Sequence, residues 1–245
     1  MLNMAFEPVL SLIRRLQGTV SRYADFPIVQ NREQMALLRE LQKEMQKRDP
    51  LNTPFDQLDV VAIDLETTGF FPDKGDEIIS IGAVKVSGKK VCDDQTFYSL
   101  VKHEKSLAEE IKILTGISNE QLKAAPPLPE VLHHFFHFIR DCILIAHHAG
   151  HEKNFLQRAC WKSFRSPFPH RIVDISFLSR IAEPDLKHAE LEEICACHAI
   201  PVVNRHHALG DALLAARVWS LYIEKVEKKG CRTLRELYER LAKSG

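Results

Sequence analysis

No apolar run in this chain of 245 residues approaches the ~18 consecutive positions of a membrane-spanning helix, which excludes a transmembrane span. Charge of one sign is not in excess either: Lys and Arg number 33, and Asp and Glu number 33. No global positive field draws the chain to nucleic acid, so any such substrate has to be gripped locally. The six cysteines follow no framework spacing, and no cleavable signal precedes them. Reduced thiols in a cytoplasm are the expectation. Internal repeats and low-complexity tracts are missing, which removes repeat arrays. What remains at this length is one domain of about 180 to 200 residues with its own core, plus an appendage.

Against these absences stands one stretch, Val60-Val61-Ala62-Ile63-Asp64-Leu65-Glu66-Thr67-Thr68-Gly69. Four apolar residues read as a buried strand, and the run then delivers carboxylates at i and i+2, which a strand's period of two puts on one face. Two adjacent acids at the end of an apolar strand repel each other, and a hard divalent cation with oxygen ligands answers that cost; the alternative is a strand entering a solvated acidic turn.

The chain in order predicts the following. Residues 1–54 read as a helical appendage and linker. Phe6, Val9, Leu10, Leu12, Ile13 and Leu16 form an apolar stripe ended by Gly18, with Arg14 and Arg15 opposite. Two arginines make a weak basic face, so packing on the domain or a partner is favoured over a membrane surface. Asn31 is a candidate cap for a second helix, Arg32 to Lys47, with Leu37, Leu38, Leu41 and Met45 on one stripe, before the linker Asn52-Thr53-Pro54.

The main domain, with its own core, is expected over 55–228. Strand one spans about Leu58 to Ile63, and Glu77 to Val86 and Val91 to Val101 complete an antiparallel meander. Helices follow at Ser106 to Leu114 and from Pro129 to Arg140, then a buried parallel strand Cys142 to Ala146, a helix Gly150 to Phe164 and a fifth strand Arg171 to Val173. Asp174 is expected to cap the next helix, which Pro184-Asp185 ends. Leu191 to Ala199 carries Cys195, Cys197 and His198 without zinc-site spacing, so these read as buried thiols and a face histidine. The segment His207 to Tyr222 is apolar nearly all round and therefore buried, which leaves its one acid, Asp211, in need of a partner or a cation. A last helix, Thr233 to Ala242 within 229–245, is expected at the domain edge. The twelve histidines fall partly in pairs such as His133-His134, His147-His148 and His206-His207, read mostly as surface or helix-face residues.

Asp64-x-Glu66-Thr67-Thr68-Gly69 resembles the first exonuclease motif of the DEDD superfamily of 3′–5′ exonucleases, the family of the proofreading epsilon subunit of bacterial DNA polymerase III. His206-x-Ala208-x-x-Asp211 resembles the third motif of its histidine branch, a spacing that sets a histidine before a helix and a carboxylate one turn inside it. The segment Leu114-Thr115-Gly116-Ile117-Ser118 followed by Ala125-Pro126-Pro127 also resembles the family. The second motif departs. Where the family carries His-Asn-Ala-x-Phe-Asp, this chain reads His147-His148-Ala149-Gly150-His151-Glu152, with Phe155-Leu156 matching beyond it. Asp141 lies at the far end of the preceding strand, ~16 Å from the active edge, which leaves Glu152 as the acid in register.

The resemblance covers residues 58 to 225 and implies an α/β RNase H-like fold, a mixed five-stranded sheet of order 3-2-1-4-5 with helices on both faces. It further implies two Mg²⁺ or Mn²⁺ ions held by Asp64, Glu66, Asp211 and Glu152, with His206 as general base, a role an imidazole fills near neutrality. Leu65 and Thr67 match positions that contact the terminal nucleotide. The expected activity is release of 5′-mononucleotides from single-stranded or frayed 3′ ends of DNA in replication or repair, with a polymerase or other repair protein as a partner for the N-terminal helices. Two alternatives stand beside it: an RNA-trimming enzyme of the same superfamily, since the motifs read phosphate and metal, and a binding module weakened in catalysis by Glu152.

Overall fold

The computed structural model describes residues 32–47 and 49–244, which lie within one compact unit beginning at Arg32. The stripe predicted over residues 6–16 and the Asn31 cap fall outside the described residues. In chain order the elements are α1 (Arg32–Lys47), β1 (Asp59–Thr67), β2 (Ile78–Ser87), β3 (Lys90–Leu100), α2 (Glu109–Thr115), α3 (Asn119–Ala124), α4 (Leu128–Ile139), β4 (Ile143–Ala146), α5 (Gly150–Phe164), β5 (Ile172–Asp174), α6 (Ser176–Ala182), α7 (Leu191–Cys197), α8 (Ala208–Lys228) and α9 (Leu234–Ser244). The strands form a single sheet ordered β3-β2-β1-β4-β5, antiparallel through β1–β3 and parallel through β1, β4 and β5. The architecture is the mixed sheet expected from the sequence.

The alternation of β1 divides the core. Val60 and Ala62 face a cluster with Trp219 and Tyr222 of α8, while Val61, Ile63 and Leu65 face Phe135 and Phe136 of α4 and Leu156 of α5. Continuing the period sends Asp64 and Glu66 to the α8 side. The strand runs four residues beyond its expected end at Ile63 because Asp64 pairs with Gly82 and Glu66 with Ser80 of β2, and ladder bonds override the low strand preference of the acids.

Two local readings need correction. Asp174 is not the cap of α6; its Oδ2 accepts the N–H of Ala149 at 3.1 Å and its Oδ1 that of Ser176 at 2.9 Å, tying β5 to the β4–α5 turn. Cys197 is exposed, whereas Cys195 is buried as expected. His198 faces Glu183, with its Nε2 2.6 Å from Oε2. Helix α3 was not foreseen, although Ser118 and Gln121 form a capping box at its start.

The segments flanking the sheet are fastened to it. Leu41 of α1 is 3% exposed and belongs to the α4–α5 cluster. The stretch read as a linker pairs with the C-terminal segment: Pro54 bridges Thr233, the Phe55 N–H donates to the Arg232 carbonyl at 2.9 Å, and the Arg235 N–H donates to the Leu51 carbonyl at 2.9 Å.

Candidate active site

The carboxyl ends of β1 and β4 and the start of α8 meet at one edge of the sheet, the place where open α/β sheets bind ligands. A glycine decides how close α8 comes. Gly82 lies between Asp64 on β1 and Tyr98 on β3 in register, and a Cβ there would fall 2.1 Å from the Ala208 carbonyl carbon and 2.2 Å from the Leu209 nitrogen. The backbone of α8 therefore lies directly on the sheet. His207, the residue before the helix, stacks on Tyr98 with ring centroids 4.4 Å apart. One turn further in, Asp211 reaches the two acids of β1.

Oxygens of Asp64, Glu66 and Asp211 converge within 4.8 Å of one another. Burial and mutual repulsion make charge expensive there. Desolvation, then the charges of Glu152, Asp211 and Glu66, push the Asp64 carboxyl well above its usual range. Desolvation and Asp211 raise Glu66 to about 7. Asp211, 2% exposed, is also raised by burial, partly offset by Arg205, whose guanidinium hydrogen-bonds Asp211 Oδ2 and Glu192 together. The same Oδ2 accepts the backbone N–H of His206 at 3.1 Å, while Oδ1 finds no hydrogen-bond partner among the described residues.

Glu152 stands in the first turn of α5 at 4% exposure. It lies outside the group of three that converges within 4.8 Å, though its charge is felt at Asp64. Desolvation first, and Asp174 besides, raise it to about 8, and its Oε2 is unpartnered among the described residues. Of the residues expected at the site, His206 is partly exposed and held by a left-handed backbone at φ 59°, a conformation histidine tolerates better than most. Leu65 is 5% exposed and packs into the α4–α5 core, and Thr67 Oγ donates to the Gly69 carbonyl at 2.7 Å. What these two can offer a nucleotide is backbone and the edge of a side chain.

The donor set fits a divalent cation. Converging carboxylates, raised proton affinities and an unpartnered oxygen on each of Asp211 and Glu152 describe a hard, all-oxygen site short of positive charge. Sequence reasoning missed Arg205, the cation that stands nearest, and Asp174, the acid beside Glu152. Arg205 immediately precedes His206, so its place in the chain was visible even though its pairing was not.

The family whose description is Exonuclease (RNase_T) matches residues 61–219. The chain belongs to the exonuclease family. It is therefore a nuclease by class, and the 3′–5′ exonuclease family works with divalent metal ions. The chain is 34% identical over 179 residues to a protein named 3′–5′ exonuclease DinG from Staphylococcus aureus (strain USA300), a match covering 72% of this chain and 19% of that protein. The chain thus matches about a fifth of the length of that relative. Among solved structures it is similar to Exonuclease I of E. coli in complex with a dT13 oligonucleotide, with a TM-score of 0.62 and 13% identity over 71% of this chain and 43% of that one. It is also similar to the nuclease domain of 3′hExo, described as a DEDDh family member bound to rAMP, with a TM-score of 0.60 and 20% identity over 71% of this chain and 94% of that one. At these identities the two structures speak for the fold.

Proposed function

We propose that the chain hydrolyses DNA from the 3′ end and releases 5′-mononucleotides, with Asp64, Glu66, Asp211 and Glu152 holding two divalent cations, Mg²⁺ or Mn²⁺, and His206 as general base. The convergence of Asp64, Glu66 and Asp211 within 4.8 Å carries the reading. Bound cations supply charge stabilisation to the attacking and leaving oxygens of a phosphoryl displacement. His206 takes the proton of the attacking water, from a position five residues before Asp211 that its backbone bond to that acid keeps at the rim. Leu65 and Thr67 border the terminal nucleotide. The local grip that a neutral chain needs is offered by Phe70, 78% exposed and 6.2 Å from the His151 ring, and by Phe71 at 56% exposure.

The activity-bearing unit is residues 55–228, with 229–245 buttressing it. The likeness to the epsilon subunit rests on the motif residues Asp64–Gly69 and His206–Asp211, and a replication or repair partner is assigned to the N-terminal region on the same basis. The cytoplasm suits six free cysteines, and no helix among the described residues is long and apolar enough to cross a membrane. The RNA reading stands because the motifs read phosphate and metal, which DNA and RNA share. End-labelled single-stranded DNA and RNA oligonucleotides, incubated in parallel with Mg²⁺, Mn²⁺ or chelator, test both. Metal-dependent shortening from the 3′ end of DNA to mononucleotides is expected; faster trimming of RNA would move the substrate class, and no hydrolysis with either metal would leave a binding module.

A further inference from the structure

Five residues before Glu152, the same turn carries a second constellation made of different chemistry. His147, His148 and Glu190 place one ring nitrogen each and a carboxylate oxygen within 4.8 Å of one another. The rings of His147 and His148 stand 4.1 Å apart, and His148 Nε2 lies 3.8 Å from Glu190 Oε2. Both ring nitrogens of His147 are buried with no hydrogen-bond partner among the described residues. An imidazole enclosed in this way forfeits the bonds it would make to water, a cost that ordinary packing does not return.

We propose that His147, His148 and Glu190 form a binding site for a transition-metal ion of the zinc class, separate from the carboxylate centre. Two imidazoles and one carboxylate are a borderline donor set that suits Zn²⁺, Co²⁺ or Ni²⁺ and not Mg²⁺, and three protein ligands leave a fourth position for water. The backbone is shaped for it. His148 adopts a left-handed conformation at φ 57°, which turns consecutive histidines of the β4–α5 turn toward one point, although neighbours in an extended strand would diverge. His148 is also one of the three residues, with His151 and Glu152, by which this segment departs from the family pattern His-Asn-Ala-x-Phe-Asp. Access is open, because the side chains of His148 and Glu190 are 52% and 66% exposed. Bonds of about 2.0–2.1 Å to a common ion ask only that these two exposed side chains close in.

Glu190 is the N-cap of α7, so an ion here would clamp the start of that helix to the end of β4. Two residues on, Glu192 holds Arg205 against Asp211. The clamp therefore braces the arm that places Arg205 in the carboxylate centre.

Equilibrium dialysis and calorimetric titration of Zn²⁺ into the untagged full chain test the site, with Co²⁺ absorption reporting imidazole coordination. Four proteins separate the outcomes: the parent, Asp64→Asn, His148→Asn and Glu190→Gln. Asparagine at 148 accepts the left-handed backbone, so that variant keeps the turn. The expected result is a zinc equivalent that persists in Asp64→Asn and binds at least about tenfold more weakly in His148→Asn and Glu190→Gln. A zinc equivalent lost in Asp64→Asn but unchanged in the other two belongs to the carboxylates and overturns the proposal, as does failure of the parent to bind zinc.

Discussion

The start of α8 and the start of α5 both deliver a carboxylate to the same edge of the sheet, and they do so under different electrostatic terms. Asp211 arrives with a guanidinium and a backbone N–H on one of its oxygens. Glu152 arrives buried, raised to about 8, with another acid, Asp174, as a neighbour and an oxygen left unpartnered. The lesson is that a site short of positive charge need not be uniformly so. The α8 side carries a cation of its own on Asp211, whereas the neighbouring charge felt at Glu152 is another acid.

Asp64, which faces both sides, gives the sharpest break. Asp64→Asn should lower oligonucleotide hydrolysis by ~10³-fold, because several kcal/mol of charge stabilisation depend on it. Single-turnover assays with metal in excess measure it, and a loss below tenfold would remove Asp64 from the centre. On the α8 side, His206→Ala should lower kcat by ~10²-fold while leaving oligonucleotide affinity largely intact. Comparable turnover in the two proteins would take the general-base role from His206.

On the α5 side, Glu152→Ala should lose most of the activity, and Glu152→Asp should match or exceed the parent with Mg²⁺, since the shorter side chain restores the family residue. Mn²⁺ should outperform Mg²⁺ in the parent, because Mg²⁺ demands near-octahedral geometry. Parallel metal titrations of the three proteins decide this; full activity in Glu152→Ala would end the ligand assignment.

The unequal neutralisation also predicts a pH dependence for the metal-free protein. Glu66 and Glu152 have folded pKa values raised to about 7 and about 8, so between the ordinary carboxylate range and those values the folded state binds more protons than the unfolded one. Stability from these groups is present at low pH and is lost progressively as pH rises from the ordinary carboxylate range to about 7 for Glu66 and about 8 for Glu152. Thermal unfolding in chelator should show Tm falling over that range, with Glu152→Gln flattening the upper part and added divalent cation restoring the loss. A Tm that rises across the same range would contradict the site electrostatics. The smallest effect is expected far from both helix starts: a chain beginning near residue 52 should retain hydrolysis but melt a few degrees lower, since it loses the buried Leu41. A folded but inactive product would place part of the site in the removed segment.

Much of this was legible in the sequence, for reasons that differ from place to place. The apolar runs Val60–Ile63 and Cys142–Ala146 dictated buried strands, and the pair Glu77–Val86 and Val91–Val101 dictated the antiparallel meander. Asp64, Glu66 and Asp211 were visible because acids beside apolar runs are costly without a counterpart. Gly82 carried a readable signal, an isolated glycine inside a strand pattern that marks close backbone approach. The pairing of Arg205 with both Glu192 and Asp211 was not readable, since it depends on where the residues before α8 cross α7. Asp174 misled because an acid before a helix is locally a good cap, and only the tertiary approach of Ala149 revealed its other bond.

Arg205 has a consequence for the order in which the molecule is built. A nascent chain must close its sheet edge before any ion can find three carboxylates in one place, and at that moment like charges would push the edge apart. The guanidinium on Asp211 is a placeholder carried by the chain itself, available as soon as α7 and the residues before α8 meet. On the function proposed above, folding and metal acquisition are then separable in time.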